Sequence, residues 1–224
     1  MAKKSPSNSA VTGPQKWIIR AVLGAIIVVP FVAFPPIRIS SLKAAKASAE
    51  AGVFNAREFA NKFWSEKLMP GLGAAVDART LDAALAVDPT TAAKKYARSV
   101  GIGGTSYYFI SGEGTVTAAD DDGVSLSLAE GAKATIVLDT GLIFGNSLRD
   151  GTGLLDVNIF ANSEEFNAIA AELNTIVETS VLPAVKKSGT VGAKLHFVGI
   201  AELIGTDNDP RPLHLIPIKV EPKP

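Results

Sequence analysis

The chain has 224 residues, 47% of them hydrophobic and 20% charged, with no cysteine and only two histidines, His196 and His214. The absence of thiols excludes disulfides, thiolate nucleophiles, zinc–thiolate and iron–sulfur centres and the lipid-bearing cysteine of a bacterial lipoprotein; two histidines argue against a multi-histidine metal site and leave only a carboxylate site open. Seven of the 22 basic residues and none of the 22 acidic ones lie in residues 1–49, so the remainder sets 15 bases against 22 acids, a net of about −7 that disfavours a nucleic-acid partner.

Residues 1–16 form a basic leader with Lys3, Lys4 and Lys16. Residues 17–39 read as a transmembrane anchor or uncleaved signal. Ala21 to Ile37 carries no charge, Arg20 can snorkel to the interface, and Pro35-Pro36 ends the apolar run. The alternative is a cleaved signal peptide, with Ala45-Lys46-Ala47 or Ala47-Ser48-Ala49 as the small-residue site. Both sites lie well beyond the apolar core, which favours the uncleaved anchor. Residues 40–53, rich in Ala, Lys and Ser, are the linker, and residues 54–221 are the folded domain. A single N-terminal span then places that domain on the periplasmic or outer side of the cytoplasmic membrane.

Asn55 to Glu58 has the pattern of a capping box, and Phe59, Phe63 and Trp64 fall at helical spacing as core residues of a helix ending near Pro70. A second helix is expected over Thr80 to Val87, with Leu81 and Leu85 on one face. Asp88-Pro89 opens a third, running to about Val100, which Gly101, Gly103 and Gly104 break. Those glycines follow a helix and lack a Lys-Ser/Thr, so they do not form a phosphate loop.

From Ser106 the period becomes two. Strands are predicted at Tyr107 to Ile110 and Thr115 to Thr117, with Gly112 and Gly114 supplying a hairpin turn or bulge. Asp120 to Gly123 is a turn without the ligand spacing of a calcium loop. Further strands are Val124 to Leu128, Ala134 to Leu138 and Leu154 to Phe160. Asn162 or Ser163 caps a long helix whose stripe includes Phe166, Ile169, Leu173 and Val177, with a kink at Pro183. Two strands close the chain, Lys194 to Ile200 and Leu213 to Val220. The sum is an α+β fold: a small antiparallel OB-like barrel, one long helix between strands, and the N-terminal helices packed outside.

No nucleophile elbow and no ordered Ser-His-Asp set is present. His196, between Leu195 and Phe197, faces away from its neighbours, and His214 reads as a strand-surface residue. Arg149-Asp150 stands out, because glycines flank it on both sides and fix the backbone. It is either an ion pair stapling the loop or a polar recognition point for a small polar ligand or a transporter subunit, with Asn162 nearby. No catalytic residue, metal or cofactor is assigned. A hydrolase using Asp150 with Glu164 or Glu165 lacks a nucleophile paired with its base.

Phe54-Asn55, Phe63-Trp64, Pro70, Asp77, Tyr96, Gly112 to Val116, Gly145 to Asp150, Phe160 to Asn162, Leu173-Asn174 and Gly192 to Gly199 together resemble a family of predicted bacterial periplasmic lipoproteins of unknown function. The resemblance implies an extracytoplasmic, membrane-attached OB-like domain. It also implies an accessory role beside monosaccharide ABC transport, and it brings no established catalytic residue. The chain departs from the pattern in lacking a lipid-attachment cysteine, so the helix from Trp17 to Ile37 takes the place of the lipid.

Overall fold

A computed structural model describes residues 54–100, 105–156, 159–160, 162–203 and 209–224. The leader, anchor and linker expected in residues 1–53, and the break at Gly101, Gly103 and Gly104, lie outside the described residues.

The unit from Phe54 to Pro224 opens with α1 (Ala56–Phe63). The Asn55 side chain accepts from the Glu58 N–H at 3.1 Å and so satisfies a donor the helix cannot. The helix expected to end near Pro70 is α-helical only to Phe63, then a π turn from Trp64 to Leu68 and a 3-10 turn from Pro70 to Ala74. Phe63 is buried, while Trp64 is half-buried against the core. β1 (Val76–Asp77) leads into α2 (Ala78–Val87), where Leu81 and Leu85 are buried. α3 (Pro89–Tyr96) stops short of Val100, because β2 (Arg98–Ser99) pairs with the next strand and Ser99 Oγ lies 2.8 Å from Ser106 Oγ.

Asp88 caps α3 with both carboxylate oxygens, accepting from the Thr90 and Thr91 N–H groups and the Thr91 hydroxyl. The Thr91 hydroxyl, then its N–H, holds the carboxyl below its ordinary 3.8. Because the folded value is depressed, this stabilisation is complete above pH ~4 and fades as pH falls through the lowered value. Asp88→Ala is expected to lower the melting temperature at neutral pH and to converge with the wild type in strong acid. Melting curves separated equally at all pH values would refute that linkage.

β3 (Ser106–Ala119) is one continuous strand, so the predicted hairpin at Gly112 and Gly114 is corrected. The reversal comes later, where the Asp120 carboxylate accepts the N–H groups of Asp122 and Gly123. Gly112 answers a different need: a Cβ there would sit 2.5 Å from the Ala78 Cβ, so α2 and β3 approach only because the side chain is missing. β4 (Gly123–Ser127) and β5 (Ile136–Asp139) follow as expected. The predicted strand from Leu154 to Phe160 is absent from the described residues of that stretch. Adjacent residues of a strand face opposite ways, yet Leu154 and Leu155 both pack on the core.

α4 (Ser147–Asp150) is a single turn, and α5 (Ser163–Ile176) is the long helix, capped by Asn162. A π turn (Val177–Val181) joins it to α6 (Leu182–Ser188). Pro183 falls in the first turn of α6, directly after the π turn. The run from Ser163 to Ser188 is long and apolar enough to cross a bilayer. However, Ile169, Leu173, Val177 and Val185 are fully buried within the fold, which makes it a core helix.

β6 (Lys194–Leu203) and β7 (Leu213–Lys223) complete the sheet. The pairings run β3, β4, β5, β7, β6, and β6 returns to β3, so the circuit closes. β5 and β7 are parallel, against the all-antiparallel expectation, because the long segment between them contains helices that carry the chain back. Tyr108, Ile110, Leu126, Ile136, Leu138 and Phe197 fill the interior with the α5 stripe.

Candidate functional site

The corner between β5 and α5 is held by one buried cation. Arg149 is 5% exposed. Its Nε and Nη2 donate to the two Asp150 oxygens at 2.7 and 2.8 Å, a bidentate fork. Its Nη1 donates to the Phe166 carbonyl at 3.3 Å and to Asn167 Oδ1 at 3.0 Å. The guanidinium lies 3.7 Å above the Phe166 ring, a cation–π contact. Phe166 packs in turn on Phe160, which meets Phe54 and Phe59. The staple therefore ties α4 to the first turn of α5 and, through rings, to the start of the folded unit.

Arg149 and Asp150 form the pair, while Asn162, whose carbonyl accepts from the Phe166 N–H at 3.4 Å, makes no hydrogen bond to either and serves as the cap of α5. The Asn162 side chain accepts from the Glu165 N–H at 2.9 Å and donates to the Glu165 carboxylate at 3.1 Å, as the helix cap. Beside the pair, Tyr107 is pushed above its ordinary phenol value by burial, and then by the charges of Glu202 and Asp150. Ser147 donates to Glu202 at 2.9 Å.

What the staple presents to solvent is Asn167, whose Nδ2 has no partner among the described residues. It lines a hollow of about 350 Å³ between α5 and the loop from Ile143 to Asn146. The loop is clamped twice: Glu178 accepts the Ile143 N–H at 3.0 Å, and Asn174 Nδ2 donates to the Gly145 carbonyl at 3.1 Å. Gly145 has φ +82°, a left-handed conformation that suits glycine. The clamp buries Ile143 and leaves Phe144 74% exposed. Asn174 is 9% exposed, and its Oδ1 is buried without a partner. Buried acceptors are nearly always satisfied, so this orphan marks a place where a donor belongs.

Asn146, Asn167, Asn174, Thr175 and Glu178 thus surround a small apolar floor of Ala170 and Ala171, with an exposed ring beside it. Neutral amides with one carboxylate suit hydroxyl groups, which both donate and accept. Sequence reasoning missed these residues. The available signal was Asn174 itself, an amide set on the apolar stripe between Ala170 and Val177. Among the described residues no group of three His, Asp or Glu side chains is placed to hold a metal ion. His196 faces away from buried Leu195 and Phe197, and His214 is an exposed partner of Asp139 at 2.9 Å.

No curated protein matches the chain. A solved structure of an OB-fold protein from Thermotoga maritima MSB8 is similar, at 27% identity and a TM-score of 0.68, and the match covers 77% of this chain and all of that one. The fold is accordingly mixed α+β with an OB-fold neighbour. The model of one family matches residues 26–221, most of the length, and the chain belongs to that family, the predicted periplasmic lipoproteins (DUF2291).

Proposed function

We propose that the protein is a non-enzymatic, membrane-anchored extracytoplasmic component that binds a small hydroxylated ligand, a monosaccharide, as an accessory of an ABC importer. The family supports the extracytoplasmic setting. The sequence resemblance supports the transport setting, and the uncharged run from Ala21 to Ile37 supports a single-span anchor in the cytoplasmic membrane. The closed strand circuit supports an OB-like barrel with α5 and α6 inserted between its strands. One observation carries the ligand reading: a hollow walled by the amide residues Asn146, Asn167 and Asn174 and edged by the exposed ring of Phe144. Such amides both donate to and accept from hydroxyls, and the exposed ring offers a face to the apolar side of a pyranose.

The test uses the full chain in detergent, titrated calorimetrically with a panel of aldohexoses and aldopentoses. Phe144→Ala and Asn146→Ala change exposed side chains, so both are expected to keep the wild-type melting temperature. Each is expected to weaken sugar binding at least about tenfold, the equivalent of about 1.4 kcal/mol. A second reading, a structural or envelope-assembly module with no ligand, is favoured by the saturation of Arg149 within the fold. If no sugar in the panel binds saturably, or both variants bind like the wild type, that second reading replaces the first.

A further inference from the structure

A second polar groove lies on the outer wall of the sheet, built by residues the corner site does not use. β3 is paired along one side by β6 without interruption, but its other side changes partner. β1 pairs with it at Ile110 and Ser111, and β4 takes over only at Thr115. In the gap between them stands Glu113, carried outward because Gly112 and Gly114 face inward. Arg79, in the first turn of α2, reaches across and donates Nε to the Leu128 carbonyl at 3.1 Å. Two adjoining hollows, of about 470 and 280 Å³, share Arg79 and Glu113.

The charges there are unevenly matched. Lys223 holds Glu113 at 2.7 Å, and Lys223 with His196 and Arg79 keeps the Glu113 carboxyl below its ordinary range, the Lys223 bond first. That acid is therefore already answered. Arg79 keeps both Nη groups without a partner among the described residues, and Lys194, which lines the larger hollow with it, has none. Thr115, opposite Lys194 in the register, adds a hydroxyl without a partner. The remaining acid of that hollow is Glu130, on the exposed turn after β4. A guanidinium with both Nη groups open, a lysine and a hydroxyl around one open hollow stand out on a domain whose formal charge is about −7.

We propose that this groove binds an oxyanion group between the Arg79 fork and Lys194, with Thr115 donating to it. The planar guanidinium suits a carboxylate or phosphate, and Lys194 supplies the point charge that completes the pairing. The oxyanion has two sources in a membrane-attached protein, a free small anion or an anionic phospholipid headgroup. The binding chemistry is the same for both.

The experiment uses the full chain at constant ionic strength. In detergent it is titrated with inorganic phosphate and with malonate. In nanodiscs of phosphatidylcholine, with or without phosphatidylglycerol, amide hydrogen exchange of β6 is followed. Saturable phosphate or malonate binding is expected in detergent, weakened at least tenfold in Arg79→Gln and in Lys194→Gln and unchanged in Phe144→Ala. Protection of β6 only by phosphatidylglycerol, lost in both variants, would support the proposal and assign the headgroup. Arg79→Gln also removes the bond to Leu128, so Lys194→Gln, which breaks no bond, is the cleaner test. No response to any probe, or equal responses in wild type and Lys194→Gln, would overturn it. Sugar binding at the Asn174 hollow is expected to be intact in both variants, so the two sites stand or fall separately.

Discussion

Arg149→Ala is expected to destabilise the fold by about 3–5 kcal/mol, a fall in melting temperature on the order of 10 °C. The size follows from what is left behind. Asp150, with its side chain only 12% exposed, loses both donors of the fork and keeps a charge it cannot hydrate well. The Phe166 carbonyl and Asn167 Oδ1 each lose a donor, and the Phe166 ring loses its cation. Arg149→Lys retains the charge but not the planar fork, so it is expected to fall between wild type and alanine. Removing both charges with Arg149→Met and Asp150→Leu is expected to recover part of the loss, because no unpaired ion remains. Chemical denaturation of the four proteins measures this directly. A wild-type melting temperature for Arg149→Ala would show that the pair is not a staple and return it to candidacy as a recognition point.

The same corner is linked to binding through Asn167 and, by the Asp150 N–H bond to the Asn146 carbonyl at 2.9 Å, through Asn146. Any loss of sugar affinity in Arg149→Lys, a variant that stays folded, would come from a loosened Asn167 amide or a shifted Asn146. Arg149 in this view positions a contact residue and does not touch the ligand. That separates it from Phe144 and Asn146, whose loss leaves the fold intact.

What was legible in the sequence were the local devices. Asn55, Asp88 and Asn162 each cap a helix, because a short polar side chain before an apolar stripe has few other uses. The strands β4, β6 and β7 were legible from their apolar runs, and alternation around His196 set its face. The errors came where long-range contact sets the meaning of a residue. Gly112 and Gly114 look like turn residues and are strand residues. Leu154 and Leu155 look like part of a strand and instead pack side by side in a loop. Asn174 was visible as an odd residue on an apolar face, but its unmet acceptor depends on the loop that returns from β5. The Arg79–Glu113 groove joins segments from α2, β3, β6 and β7, a meeting that no local pattern encodes.

Gly112 yields the second large effect. A Cβ at this position would lie 2.5 Å from the Ala78 Cβ and 3.2 Å from Phe197 Cζ, and both neighbours are buried. Gly112→Ala is expected to cost about 1–3 kcal/mol, since the core cannot yield without moving α2 or β3. The clash with Ala78 is the severe one. Moving the methyl from one side of the contact to the other should therefore relieve it. Ala78→Gly alone is expected to cost up to about 1 kcal/mol, from a glycine in the first turn of α2. Once the Ala78 Cβ is gone, the next atom of that residue lies at 3.6 Å, an ordinary contact. The double variant is therefore expected to be more stable than the sum of the single changes predicts, by about 1 kcal/mol or more of coupling. Unfolding the wild type, the two single variants and the double variant by urea closes the cycle. Strict additivity would mean that α2 and β3 do not meet at this glycine.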